Sequence, residues 1–142
     1  MLEALKQVVF FFEKNQIPYM IIGGIANSIH GNPRQTFDID VKVKLNIHEK
    51  LDYFINSLKK LAKVLPQNPH EFVNETNVLP IKIDNVKIDI IFTGIEFESE
   101  AIKNAKYYSY GDIKIKVCSI EDLIIQKSVS HRKKDWMHIE TL

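Results

Sequence analysis

The stretch that decides the fold covers residues 19–44 and reads YMIIGGIANSIHGNPRQTFDIDVKVK. It opens with four consecutive apolar residues, 19–22, which suit a buried strand, and the chain then turns at Gly23-Gly24. A short helix is expected over 25–30, because Gly31-Asn32-Pro33 favours a helix end. The stretch therefore begins as strand, glycine turn and short helix.

Apolar and polar residues alternate from Thr36 to Lys44, which predicts a strand with two different faces. Asp38 and Asp40 then project from the same face, with Cα atoms roughly 6.5 Å apart. Two such carboxylates repel each other unless solvent or a shared cation relieves the repulsion. Lys42 continues the same face, so a plain exposed polar face remains an alternative interpretation.

Asp89 interrupts the strongly apolar run 86–92, where an acid needs a partner. If this strand lies beside the Asp38 strand, three carboxylates converge, and hard oxygen ligands suit Mg²⁺ or Mn²⁺. A core carboxylate satisfied by hydrogen bonds is the alternative for Asp89. Asp84 is interpreted as a turn residue that joins strand 78–83 to strand 86–92 in a hairpin.

The other elements complete one layered unit. Hydrophobic spacing predicts helices over 2–15, 47–63 and 119–129, a further helix within 133–142, and a second hairpin from 107–110 and 113–117. The fold class is therefore α/β (α+β), with a mixed β-sheet and helices packed mainly on one side, in a single domain over 1–142. The pattern leaves open whether the first two strands are parallel or antiparallel.

Composition narrows the classes of function. The chain is 45% hydrophobic and 26% charged, with a net charge of +1, and it has no apolar run of roughly 18 residues, so we expect no membrane partner. The first residues do not resemble an export signal, and the lone Cys118 suits a small buried residue in a reducing compartment, so a cytoplasmic location is expected. The basic segment 127–134 is either a solvated helix end or a phosphate-facing patch.

The run from Gly23 to Val41 resembles the signature of the nucleotidyltransferase superfamily, which has the polymerase-beta-like fold. Together with segment 121–127, it is similar to small prokaryotic members such as abortive-infection nucleotidyltransferase toxins. The resemblance implies that Gly23 and Gly24 hold a nucleoside triphosphate, and that two Mg²⁺ (or Mn²⁺) ions are bound by three acids, Asp38, Asp40 and Asp89. Many relatives have Gly-Ser at the turn, whereas Gly24 offers only its backbone amide.

Three further residues are candidate nucleotide-binding groups. Arg34 and Thr36 lie between the glycine turn and the acid pair, where a guanidinium and a hydroxyl could contact phosphate oxygens. Lys127 begins the basic segment that could face phosphate. Structural roles are open for all three residues.

The sequence therefore predicts metal-dependent, ATP-binding transferase chemistry: a nucleoside monophosphate moves from a triphosphate to a hydroxyl of a nucleic acid such as tRNA, a protein or a small molecule. The alternative is a non-catalytic nucleotide-binding or partner-binding module of the same fold, for example in a toxin–antitoxin pair. A haloacid-dehalogenase-type phosphatase is disfavoured, because the segment 41–44 extends the strand where that family turns.

Overall fold

The computed structural model describes residues 1–31, 38–93 and 96–125, with backbone alone at 96–98. The helices are α1 (Leu2–Lys14), α2 (Gly23–Ile29), α3 (Ile47–Leu58), α4 (Pro69–Thr76) and α5 (Glu96–Asn104), and residues 120–125 are also helical. The strands are β1 (Tyr19–Ile22), β2 (Asp38–Val43), β3 (Lys63–Val64), β4 (Val78–Ile83), β5 (Val86–Phe92), β6 (Lys106–Tyr110) and β7 (Ile113–Val117). Among the described helices, none has the length and apolar character needed to cross a bilayer.

All seven described strands belong to one sheet, in the order β3-β4-β5-β2-β1-β7-β6. β2 is parallel to β5 and β1 is parallel to β7, whereas the other neighbours are antiparallel. The mixed sheet confirms the predicted fold class, and the structure shows that β1 and β2 are antiparallel. The extent of the domain, 1–142, stays a prediction.

Helices α1 and α3 cover one face of the sheet through aromatic contacts. The Phe54 ring of α3 meets the ring of Phe11 at 5.7 Å and that of Phe92 at 5.6 Å, both edge to face, and Phe12 stacks on Tyr19. Alternate residues of β2 and β5 on this face are fully buried: Ile39, Val41, Val43, Ile88 and Ile90. Because successive strand residues face opposite sides, the charged residues of both strands lie on the other face.

Several local predictions are confirmed. Asp84 and Asn85 have φ of 47° and 65°, and they join β4 to β5 in a two-residue turn with both central residues at positive φ. Cys118 is fully buried. The Ser119 hydroxyl accepts a hydrogen bond from the Asp122 amide at 3.1 Å, so it caps the helical residues that follow.

Other boundaries differ from the sequence-based prediction. The short helix expected over 25–30 is α2, Gly23–Ile29, so both glycines lie in its first turn and not before it. Helix α3 ends at Leu58 rather than at residue 63, because the Lys63–Val64 segment pairs with β4. Helices α4 and α5 were not predicted; α4 has one buried side chain, Val73, so its hydrophobic pattern is weak. The expected helical residues 126–129 and 133–142 lie outside the described residues.

Replacing Phe54 with Ala tests the aromatic layer between the helices and the sheet. Phe54 is 2% exposed, so we expect the substitution to lower the free energy of unfolding by about 3–5 kcal/mol, measured by urea denaturation. The adjacent Tyr53 is 73% exposed, and Tyr53→Ala is the matched control, with an expected change within about 0.5 kcal/mol. Equal losses in the two variants would contradict this packing.

Candidate functional site

The register between β2 and β5 brings the three acids together. Asp40 and Asp89 are direct neighbours in this parallel pair, and Asp38 lies opposite Lys87. Neighbouring strands are about 4.8 Å apart and lateral partners share a face. Asp38, Asp40 and Asp89 therefore lie on one face of the sheet, opposite the face covered by α1 and α3.

The glycine turn lies directly against Asp40. Ile22, the last residue of β1, pairs with Asp40, and Gly23 follows with φ of +70° at the start of α2. A Cβ placed on Gly23 would collide with Oδ2 of Asp40 and would lie 3.2 Å from its Cβ and Cγ atoms. Gly23 is thus required both by the left-handed backbone and by the space that the Asp40 carboxylate occupies. Gly24 is the second residue of α2.

The electrostatic environment of Asp40 opposes its ionisation. Burial raises the pKa of Asp40 above its ordinary value of 3.8, the charges of Asp89 and Asp38 raise it further, and Lys87 partly opposes them. Asp38 is exposed and Asp40 is half-buried. Burial and neighbouring like charges both favour the protonated form of a carboxylic acid. A cation bound here would therefore lower the energy of the ionised Asp40 carboxylate.

Asp89 is not a fully satisfied core carboxylate. Its side chain is 24% exposed, and its Oδ1 lies 3.8 Å from Nζ of Lys87, which is a loose ion pair. The oxygen atoms of Asp89 can therefore accept further ligands. Of the two interpretations of Asp89, the one that leaves it available to a ligand fits the structure better.

The three acids are neighbours in the sheet, but their side chains are not arranged as a metal-binding group. Within the described residues, no group of three or more Asp, Glu, His or Cys side chains is arranged to hold an ion. The register determines only the backbone spacing, because adjacent strands lie about 4.8 Å apart. The donor set, three carboxylates on one face, fits Mg²⁺ or Mn²⁺. Metal binding by these residues stays a prediction.

Two features of this face were missed from the sequence. Lys42 lies on the same face as Asp38 and Asp40 but is only 7% exposed, so the plain exposed polar face is the wrong interpretation at that position. Asn27 of α2 is also buried, and its side-chain amide donates to the Gly23 carbonyl at 3.0 Å, which supports the turn beside Asp40. Strand alternation indicates which face a residue lies on but not how deeply it is buried.

The other predicted nucleotide contacts, Arg34, Thr36 and Lys127, lie outside the described residues.

Two large cavities in another part of the described structure do not border the acids. One of about 620 Å³ is lined by Phe11, Lys44 and Tyr53 among others, and one of about 820 Å³ by residues that include Tyr19, Tyr107 and Lys116. Both lie toward the Tyr19 end of β1, whereas Asp40 pairs with Ile22 at its other end. The candidate site is therefore defined by its side-chain chemistry and not by these cavities.

This mixed sheet, in which Gly23 opens α2 after β1 and the acids lie on β2 and β5, has the fold of solved nucleotidyltransferases. A candidate nucleotidyltransferase of Thermotoga maritima, TM1012, is similar with a TM-score of 0.70 and 17% identity, over 99% of this chain and 90% of that one. The lincosamide antibiotic adenylyltransferase LnuA, solved with lincomycin, has a TM-score of 0.59 at 17% identity, over 88% and 84% of the two chains.

A third similar structure is ANT(2'')-Ia in complex with adenylyl-2''-tobramycin, with a TM-score of 0.59 and 16% identity, over 97% of this chain and 83% of that one. At identities this low, the likeness establishes the fold alone, and it confirms the predicted nucleotidyltransferase-type mixed sheet. A scan of protein-family models finds no match to the sequence, and a search of curated proteins finds none either.

Neutralising Asp40 should stabilise the protein when divalent metal is absent. The pKa of Asp40 is higher in the folded state than in the unfolded state. Protonated Asp40 therefore contributes fully to folding stability below its unfolded-state pKa, and this contribution is lost as the pH rises through its folded-state pKa. We expect Asp40→Asn to raise the thermal midpoint in EDTA at pH 7 by about 2–4 °C. The gain should shrink as the pH falls toward 4, and the turn variant Asp84→Asn should show neither effect.

Gly23→Ala tests the contact between the turn and Asp40. Gly31 also has positive φ but has open space where a Cβ would lie, so Gly31→Ala is a matched control for backbone strain, which costs about 1–2 kcal/mol. Gly23→Ala should lower the free energy of unfolding by about 1–3 kcal/mol more than Gly31→Ala, since its Cβ meets the Asp40 carboxylate. Adding Asp40→Ala to Gly23→Ala should recover this extra loss, and equal losses in the two single variants would disprove the contact.

Proposed function

We propose that this protein is a nucleotidyltransferase that moves a nucleoside monophosphate from a nucleoside triphosphate to a hydroxyl acceptor. The observation that carries the proposal is the register of β2 and β5, which sets Asp40 beside Asp89 with Asp38 on the same face. The nucleotidyltransferase fold and the crowding of Gly23 against Asp40 support the same function.

The three acids would have distinct roles. Asp38 and Asp40 would hold two Mg²⁺ or Mn²⁺ ions, and Asp89 would join them on one ion. Bound metal would supply positive charge to the attacking and leaving oxygen atoms of an in-line displacement. Asp89 would accept the proton of the acceptor hydroxyl. The hydroxyl oxygen would then bond to the α-phosphorus while pyrophosphate departs.

The rest of the turn would serve the nucleotide. Backbone amides at Gly23 and Gly24 would approach the triphosphate, while Arg34, Thr36 and Lys127 would contact its phosphate oxygens. Of the proteins with a similar fold, LnuA was solved with lincomycin bound and ANT(2'')-Ia in complex with adenylyl-2''-tobramycin. A small molecule is thus one candidate acceptor here, beside tRNA and protein. A cytoplasmic location and a cognate toxin or antitoxin partner stay predictions from the sequence.

The decisive experiment follows the label of the triphosphate. We expect α-³²P from ATP, CTP, GTP or UTP, but not γ-³²P, to enter tRNA, protein or small-molecule fractions in the presence of Mg²⁺. Asp38→Asn, Asp40→Asn and Asp89→Asn should each lower the rate by at least about 100-fold, because loss of groups that merely support metal ligands already costs 10- to 100-fold.

Controls separate transfer from folding and from simple binding. Asp84→Asn removes the same charge from the β4–β5 turn and should leave the rate unchanged. Circular dichroism should show that all variants fold. Calorimetric binding of a triphosphate with no transfer to any fraction would instead support the non-catalytic module, and transfer of γ-³²P would reject nucleotidyl transfer.

A further inference from the structure

The acidic face includes a lysine, although a protonated lysine cannot be a ligand of a metal ion. Lys87 lies on β5 two residues before Asp89, so both side chains share a face. Its Nζ is 3.8 Å from Oδ1 of Asp89, and its backbone neighbour on β2 is Asp38. Lys87 therefore lies at the corner of the site, against one acid and across from a second.

Lys87 also influences the third acid. Its charge acts on Asp40 in the direction opposite to that of Asp89 and Asp38. Its side chain is 48% exposed, so the ammonium group is held loosely and can move away at a modest energetic cost. A cation that is paired with Asp89, acts on Asp40 and yet can leave has the properties of a counter-ion that a stronger cation displaces.

We propose that Lys87 is a positioning residue that compensates the charge of the acids in the metal-free protein and competes with the divalent cation for Asp89. This inference rests on the proposed function, because it assumes that these acids bind Mg²⁺. Lys87 stabilises the metal-free state and weakens the metal-bound state, so its removal should move the two states in opposite directions. A merely structural lysine would change stability without changing metal affinity.

The test compares wild type with Lys87→Met in EDTA and across a Mg²⁺ titration, without nucleotide or acceptor. In EDTA, the thermal midpoint of Lys87→Met should fall by about 2–4 °C, because the carboxylates lose their compensating charge. Calorimetry should show Mg²⁺ binding that is roughly fivefold to tenfold tighter than in wild type, since a neighbouring positive charge has been removed. The stabilisation by Mg²⁺ should accordingly be larger in the variant.

Two further variants sharpen the result. Lys87→Arg keeps the positive charge, so its thermal midpoint in EDTA and its Mg²⁺ affinity should both match those of wild type. Lys114→Met makes the same substitution at an exposed lysine of β7, paired with Ser109 on β6, and it should change neither quantity appreciably. It controls for the net charge of the molecule.

The outcomes distinguish the inference from the proposed function. If Mg²⁺ binds wild type and Lys87→Met equally well, the competition is disproved while the metal site stands. If Lys114→Met tightens Mg²⁺ binding as much as Lys87→Met, the effect belongs to net charge and the inference also fails. If Mg²⁺ neither binds nor stabilises any variant, the proposed function and the inference fail together.

Discussion

The parallel pairing of β2 with β5 is the constraint on which the candidate site depends. A slip of one residue in this pairing would reverse the side-chain alternation and move Asp89 to the face that holds Ile39 and Val41. The slip is prevented by the core itself, because Ile88 and Ile90 are fully buried beside those residues. The same apolar contacts that stabilise the sheet therefore determine which acids lie side by side.

The close approach of three carboxylates is electrostatically unfavourable, and the packing of the rest of the protein must compensate for it. Asp40 is half-buried, next to one carboxylate across the strands and a second two residues earlier. The cost is tolerated because Asp40 lies in the middle of a sheet whose opposite face is packed against α1 and α3. Strain concentrated in one small region, supported by a well-packed core, is typical of functional sites.

Local rules predicted those parts of the fold that local chemistry determines. Alternation and turn residues predicted the β4–β5 hairpin around Asp84 and Asn85, and the Ser119 cap was evident from spacing alone. They could not predict that β2 and β5 are neighbours, because that contact joins residues about fifty positions apart. Helix α4 was missed because one buried residue, Val73, makes too weak a pattern, although Asn68 before Pro69 was a usable start signal. The resemblance implied only that Asp89 is a third acid of the site, and the register of β2 and β5 then shows that it is the neighbour of Asp40.

Burial along the acidic face differs between the two sides of Asp40. The residue before it on this face, Asp38, is exposed, and the residue after it, Lys42, is buried. On the β1 side, Ile22 and Gly23 lie against it. Among the described residues of this face, exposure therefore increases from Lys42 through Asp40 to Asp38, whose neighbour on β5 is Lys87. The two large cavities near Tyr19 lie toward the other end of β2, where Tyr19 pairs with Val43. Lys87 is loosely paired with Asp89 and half exposed, whereas Lys42 is buried, so of these two lysines Lys87 is the one that solvent and a dissolved cation can contact.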